Sequence, residues 1–277
     1  MFLSCFSFVG SVYSSTPQYT HSDSLKVVDV LRRAATQRSG TNMMLYFSRQ
    51  FLGCPYVANT LDKNAEEKLV INLRQFDCTT FVENIVALFL CHKNKKNTFA
   101  DFCHYIQQLR YKGGKISYPS RLHYYSEWIA SNTQSGVVKE VNSPTPPFSK
   151  LQKLCVNYMS KHPQRYPMLV KHPSWVKEIS EMEDELNGRE YRHIPKSDIE
   201  NSDVFRKAIS DGDILAITTN KPGLDTSHIG IAVWHKDGLH LINASLVRHR
   251  VVEESMTLYK YMQRHPSQTG IRVIHVQ

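Results

Sequence analysis

The sequence predicts an α+β chain, with helices filling its first half and strands its last quarter. Three observations carry this. Apolar residues recur at helical spacing from Leu25 to Leu109, the period changes from 3.6 to two after Asp211, and no shift in composition divides the 277 residues into separate units. A helical block followed by strands is expected to pack as helices on a small antiparallel sheet. Residues 25–277 read as one domain, preceded by a tail over residues 1–24.

The elements follow in order. Leu25, Val28, Leu31 and Ala35 share a helical face that ends near Gly40, and residues 43–51 read as a second helix. Gly53-Cys54-Pro55-Tyr56 then punctuates the chain. A third helix is predicted over 78–92, where Phe81, Ile85 and Leu88 recur at i, i+4 and i+7 and Val82, Val86 and Phe89 widen the stripe until the helix must be buried. Asp77 caps it, or Thr80 with Glu83 forms a capping box three residues later. Residues 99–109 form a fourth helix on Phe102, Ile106 and Leu109. Arg121 to Ile129 is aromatic and cationic, which suits either a sugar- or carboxylate-binding surface or a Tyr-rich core helix. Ser143 to Pro147 is a loop, and residues 173–186 an acidic helix closing at Gly188. Strands are expected over 213–218, 228–234, 240–245 and 271–276, with Asp237-Gly238 as a two-residue turn joining the middle pair.

Composition narrows the function. A hydrophobic fraction of 41% with 21% charged residues is that of an ordinary globular protein, and the absence of any run of about 18 apolar residues excludes a spanning helix. The net charge of +9 favours anionic partners. The densest basic run, Lys93, Lys95 and Lys96, lacks the aromatic residues that stack on bases, so no nucleic acid is expected. Six cysteines at 5, 54, 78, 91, 103 and 155 make no C-x-x-C pair, and Cys91-His92 and Cys103-His104 lack zinc-ligand spacing, so no metal and no cofactor are expected. The apolar stretch over 1–15, turning polar through Ser24, reads as the remnant of an export signal or a disordered tail, which would place the protein in the periplasm or outside the cell.

Cys78 is the candidate nucleophile. It stands at the mouth of the third helix, where unpaired N–H groups and the helix dipole favour a thiolate. A thiol nucleophile needs a base and the base an orienting partner. His228 begins a strand on which it shares a face with Gly230 and Ala232, small neighbours that would let a helix N-terminus approach closely. On the next strand Asn243 and Ser245 share a face. With Asp237-Gly238 as the turn, paired positions sum to 475, so Asn243 lies four residues from His228, about 13 Å, and Ser245 only two. Strand arithmetic therefore favours Ser245.

Phe76-Asp77-Cys78-Thr79-Thr80-Phe81-Val82-Glu83, Ser227-His228-Ile229-Gly230-Ile231 and Ile242-Asn243-Ala244-Ser245 resemble, in order and context, the NlpC-type cell-wall amidases and peptidases of the papain-like superfamily. Leu52 to Val57 with Thr60-Leu61, Arg121 to Ile129, and Gly223 to His228 are similar to the N-acetylmuramoyl-L-alanine amidase branch, over roughly residues 45–275. The resemblance implies a papain-like fold with helical and loop insertions, and a single catalytic domain that hydrolyses the amide between N-acetylmuramic acid, possibly in its anhydro form, and L-alanine. Cys78 would be the nucleophile and His228 its base. The family's third polar residue aligns with Asn243, leaving Ser245 in reserve. Tyr56, with the Cys78 N–H, would stabilise the oxyanion, and Asp77, Arg121, Tyr124, Asp225 and Ser227 would line the substrate site. The partners implied are bacterial muropeptides, acted on by a monomer. A stem-peptide endopeptidase cutting between D-glutamate and the diamino acid, or a non-catalytic wall-binding protein, are the alternatives.

Overall fold

The computed structural model describes residues 16–200 and 202–277. Among them the chain forms ten α-helices around one eight-stranded antiparallel sheet. The helices are α1 His21–Ala34, α2 Met43–Arg49, α3 Cys78–Lys93, α4 Phe99–Arg110, α5 Tyr125–Gln134, α6 Tyr158–Lys161, α7 Pro167–Lys171, α8 Trp175–Leu186, α9 Asp203–Ala208 and α10 Leu258–Gln263. The strands are β1 Val138–Glu140, β2 Lys150–Lys153, β3 Glu190–Pro195, β4 Ile214–Thr219, β5 Thr226–His235, β6 Gly238–Ser245, β7 Arg250–Glu253 and β8 Gln268–Val276. Their order is β2-β3-β8-β4-β5-β6-β7, with β1 also pairing β8.

Period two sorts the strands' side chains into two cores. Ile214, Ala216, Ile229, Ile231, Val233, Ile242 and Ala244 face a large helical core built on α1 to α5. Leu215, Ile217, Ala232, Leu239, Leu241 and Val273 face α9 and α10. A third, smaller cluster joins Tyr118 and Tyr124 to Met159, Met168, Leu169 and the apolar side of α8. The candidate site residues lie between this third cluster and the sheet.

The predicted helices 78–92 and 99–109 coincide with α3 and α4 to within one residue. α1 begins earlier than expected, at His21, because Asp23 turns back to accept a hydrogen bond from the Thr20 N–H at 2.9 Å. Gln18 bridges Val70, so the folded body starts ahead of residue 25. The stretch read as an export signal, residues 1–15, lies outside the described residues.

Two expectations about the β5–β6 hairpin are corrected. His235 pairs with Gly238, so the turn is Lys236-Asp237 and paired positions sum to 473, two residues away from the predicted register. Among the described residues neither Lys236 nor Asp237 has a positive φ, as the predicted Asp-Gly turn requires, and Gly238 at φ 144° serves as the first strand residue. α3 also packs on the Ile229–Ile231–Val233 face rather than beside Gly230. Gly230 is small for a different reason: a Cβ there would sit 2.7 Å from the Ile242 carbonyl oxygen and 2.8 Å from the Leu241 side chain. The close neighbour of Gly230 is thus β6.

Because one of those contacts is backbone and cannot swing away, Gly230→Ala should cost about 1–3 kcal/mol and lower the melting midpoint by several degrees. A thermal melt of Gly230→Ala against the wild type checks this, and an unchanged midpoint would contradict it.

Candidate active site

α3 starts at Cys78 because Asp77 caps it. Asp77 Oδ1 accepts from the Thr80 N–H at 2.8 Å, and Thr80 Oγ1 accepts from the Asp77 N–H at 3.0 Å. This settles the helix start in favour of Asp77. Glu83 takes no part in a capping box and instead accepts from Arg110 Nε at 2.8 Å in a fully buried ion pair. The residues just before the cap form a short ladder: Phe76 donates its N–H to Pro55 O and accepts one from Val57, while Tyr56 donates its own to His249 O. That ladder carries Tyr56 to the helix mouth.

Cys78 is partly exposed. Its thiol is not held as a resting thiolate. Burial of its surroundings, and then the neighbouring Asp77 carboxylate, push it up to about 12, against the opposing pull of the Ile229 and Thr79 N–H groups. Desolvation and a like charge outweigh the helix-terminus effect on which the sequence expectation rested. Tyr56 is also raised to about 12, by desolvation and by the proximity of Cys78 and Asp77, so its hydroxyl keeps its proton and remains a donor.

His228 lies on β5, and its Nε2 donates to Asn243 Oδ1 at 2.9 Å. The amide's orientation follows from its other end, where Asn243 Nδ2 points at Glu254 Oε1, 3.5 Å away. The observed register places Asn243 across from Gly230, two residues from His228 rather than four. Ser245 is not the partner: its Oγ accepts from the Arg248 N–H at 3.2 Å. Burial lowers the pKa of His228, and the Asn243 hydrogen bond offsets part of that shift. With Nε2 committed to Asn243, the neutral ring presents Nδ1 as its basic nitrogen.

Cys78 and His228 line one cleft of about 190 Å³, together with Thr79, His123, Tyr125, Met159, Tyr166 and Leu224. Of the other predicted residues, Tyr124, Asp225 and Ser227 also line it. Their polar atoms are engaged in the fold. Tyr124 donates to Glu183 Oε1 at 2.6 Å, and the two Asp225 oxygens accept from the Ser126 and Thr226 N–H groups at 2.6 and 2.7 Å. Ser227 Oγ donates to Ile217 O at 3.3 Å. Arg121 lies away from this cleft, buried in an ion pair with Asp62 and 3.5 Å from Glu67; with Asp77 it lines an adjoining cleft of about 130 Å³.

Sequence reasoning passed over Met159 and Tyr166, and gave no role to His123 and Leu224 within the stretches it singled out. His123, its Nε2 donating to Tyr118 O at 2.8 Å, is depressed to about 3 by burial and the Arg121 charge and stays neutral. Met159 comes from the short helix α6 and Tyr166 from the extended residue just before α7, where no periodicity or motif marks them. The Arg121 to Ile129 stretch divides in two: Trp128 and Ile129 are core, while Leu122 to Tyr125 wall the cleft.

A thiol, an imidazole and an amide gathered at one end of an antiparallel sheet define the class, an amidase-like α+β protein with a candidate active site. The chain belongs to the AmiA-like, N-acetylmuramoyl-L-alanine amidase-like family, whose model matches residues 46–271. It is 38% identical to a solved N-acetylmuramoyl-L-alanine amidase from Bacteroides uniformis, with a TM-score of 0.79 over 85% of this chain and 97% of that one. A Bacteroides fragilis structure, provisionally named a xylanase, is 40% identical with a TM-score of 0.77 over 83% and 99%. A Legionella pneumophila protein at 20% identity and a TM-score of 0.73 shares the fold. Among curated proteins no match is found.

Asn243→Ala should lower turnover by about tenfold, the worth of one hydrogen bond. Since that bond raises the His228 pKa, its loss should also move the acid limb of the pH–rate profile to lower pH. Ser245→Ala should leave both unchanged.

Proposed function

We propose that the protein is a cysteine-dependent N-acetylmuramoyl-L-alanine amidase of the NlpC-type, papain-like kind, acting outside the cytoplasm on peptidoglycan fragments. One observation carries the reading: the 2.9 Å bond from His228 Nε2 to Asn243 Oδ1, in the cleft that also holds Cys78. The family membership supplies the substrate class.

The resting pair is neutral, a thiol beside a neutral imidazole. As the Cys78 sulfur attacks the lactyl carbonyl carbon, its proton passes to His228 Nδ1, so charge develops only during the reaction. Asn243 holds the ring in the tautomer that leaves Nδ1 bare and strengthens its bond to Nε2–H as the ring becomes positive. The oxyanion is met by the Cys78 N–H, which as the first helical residue has no intrahelical acceptor, and by the protonated Tyr56 hydroxyl. The tetrahedral intermediate collapses as Nδ1 returns its proton to the departing alanine nitrogen. The thioester left on Cys78 is then hydrolysed by a water that His228 deprotonates, restoring the thiol. Tyr124, Tyr125 and Tyr166 wall the cleft as platforms for a sugar or peptide.

Glycoside hydrolysis, suggested by one neighbour's name, fits poorly. It requires two carboxyl groups facing each other across the bond, whereas Asp77 caps α3 and both Asp225 oxygens are taken by backbone N–H groups. Stem-peptide cleavage would use the same catalytic groups and is separated by product.

Digestion of purified muropeptides, read by mass spectrometry, should release peptide beginning at L-alanine and a sugar free of peptide. A sugar retaining L-alanine-D-glutamate would overturn the assignment. Cys78→Ala should reduce the rate by at least about a thousandfold, and turnover should persist below pH 6.5, because the lowered His228 pKa keeps the base neutral there.

A further inference from the structure

The hydrogen-bond chain that starts at His228 does not end at Asn243. An asparagine amide accepts at its oxygen and donates at its nitrogen, and turning it over is free unless its surroundings tell the two ends apart. His228 does not tell them apart. Its neutral ring can donate from Nε2 to the amide oxygen, or carry its hydrogen on Nδ1 and accept at Nε2 from the amide N–H. Only the first arrangement leaves Nδ1 bare to take the Cys78 proton, so the choice falls to whatever lies on the far side of Asn243.

Glu254 lies there. It follows β7, whose register sets Asn243 opposite Val252 and Ile242 opposite Glu253. The backbone continues that ladder by one residue: the Glu254 N–H donates to Leu241 O at 2.9 Å, and its carbonyl accepts from His240 Nδ1 at 2.8 Å. Side chains alternate along a strand, so Glu253 turns to Arg49 on one face while Glu254 falls on the face of Asn243. It is one diagonal step away, within reach of a long side chain.

Glu254 is 3% exposed, and burying a carboxylate is costly without close partners. Among the described residues its one side-chain hydrogen bond comes from Asn243 Nδ2 to Oε1 at 3.5 Å, and its ion-pair partner is Arg248, whose Nε lies 3.8 Å from Oε2. So loose a set adds little to the fold, but it puts a negative charge beside the amide. A carboxylate paired with a guanidinium only accepts. Turning the amide over would set its oxygen against Oε1, so the carboxylate holds Nδ2 toward itself and Oδ1 toward His228. The same charge is felt at α10, where Tyr261, its ring centred 6.3 Å from that of His228, is pushed up to about 12 by burial and then by Glu254.

We propose that Glu254 is a positioning residue for His228, acting through Asn243: its carboxylate sets the direction of the amide, the amide sets the tautomer of the ring, and its charge offsets part of the positive charge the ring acquires with the proton. The effect on turnover rests on the amidase reading, whereas the effect on the tautomer does not.

Nitrogen-15 spectra of imidazole-labelled Glu254→Gln test the orientation, because glutamine in that place donates as well as accepts and no longer distinguishes the two ends of the amide. A share of His228 protonated on Nδ1 is expected in this variant and not in the wild type. In Asn243→Asp with Glu254→Gln the new carboxylate can only accept, so the form protonated on Nδ1 alone should vanish again. In muropeptide digestion, kcat of Glu254→Gln should fall about fivefold with KM unchanged, and the same substitution made in Asn243→Ala should cost nothing further, whereas a merely structural glutamate would lower both backgrounds alike. Neutron diffraction of the deuterated wild type needs no variant and should show an Asn243 Nδ2 deuteron directed at Glu254, with the ring's deuteron on Nε2. If the wild type leaves muropeptides uncut, the amidase reading fails while the spectra and the neutron map still decide the role of Glu254. An amide nitrogen facing His228, a ring left wholly Nε2-protonated in Glu254→Gln, or an equal loss of kcat in the two backgrounds would overturn the proposal.

Discussion

The pairing of Ile231 with Ile242 is the constraint on which the candidate site depends. It fixes where β6 lies along β5, and a strand's side chains alternate faces, so a shift of one residue would turn Asn243 away from His228 and a shift of two would carry it out of reach. Gly230 is part of the same constraint. The place its side chain would fill holds the Leu241 side chain and the Ile242 carbonyl, so β6 lies close against β5 where His228 and Asn243 meet.

From that register the rest of the site follows. The Ile229–Ile231–Val233 face receives the buried helix α3, and the opposite face carries His228 and Asn243 toward α10. The cleft forms at the end of the sheet, where the capped N-terminus of α3 brings Cys78 to the same space that His228 lines. The capping aspartate has two consequences there. It ends the helix at the cysteine, and its charge, after burial, raises the thiol's pKa. In the proposed reaction such a thiol stays protonated until a base accepts the proton, which makes His228, and the residue that orients it, decisive.

The α+β layout and the bounds of α3 and α4 were legible because long apolar stripes with polar caps leave few alternatives. The position of Cys78 at the mouth of α3 was legible for the same reason, and the small character of Gly230 was visible although its cause was not. The choice between Asn243 and Ser245 was not legible from strand arithmetic. It turned on whether Asp237-Gly238 or Lys236-Asp237 made the turn, a matter of φ angles that residue types only bias. β1, β2 and β7 are too brief to show a period, and in β3 the apolar Tyr191 and Ile194 stand three apart rather than two. Met159 and Tyr166 reach the cleft only through packing between segments far apart in sequence, which no local pattern encodes. Asp77, Asp225 and Arg121, singled out by motif, have their charges engaged by Thr80, Ser126 and Asp62.

The most direct measurement is the nitrogen-15 resonance pattern of His228 at pH 7 in protein labelled on its imidazole nitrogens. A neutral ring protonated on Nε2, with Nδ1 bare, is the expected result, since Nε2 donates to Asn243 and burial lowers the ring's pKa. A ring protonated on Nδ1, or an imidazolium at that pH, would contradict it and remove the base from the proposed reaction.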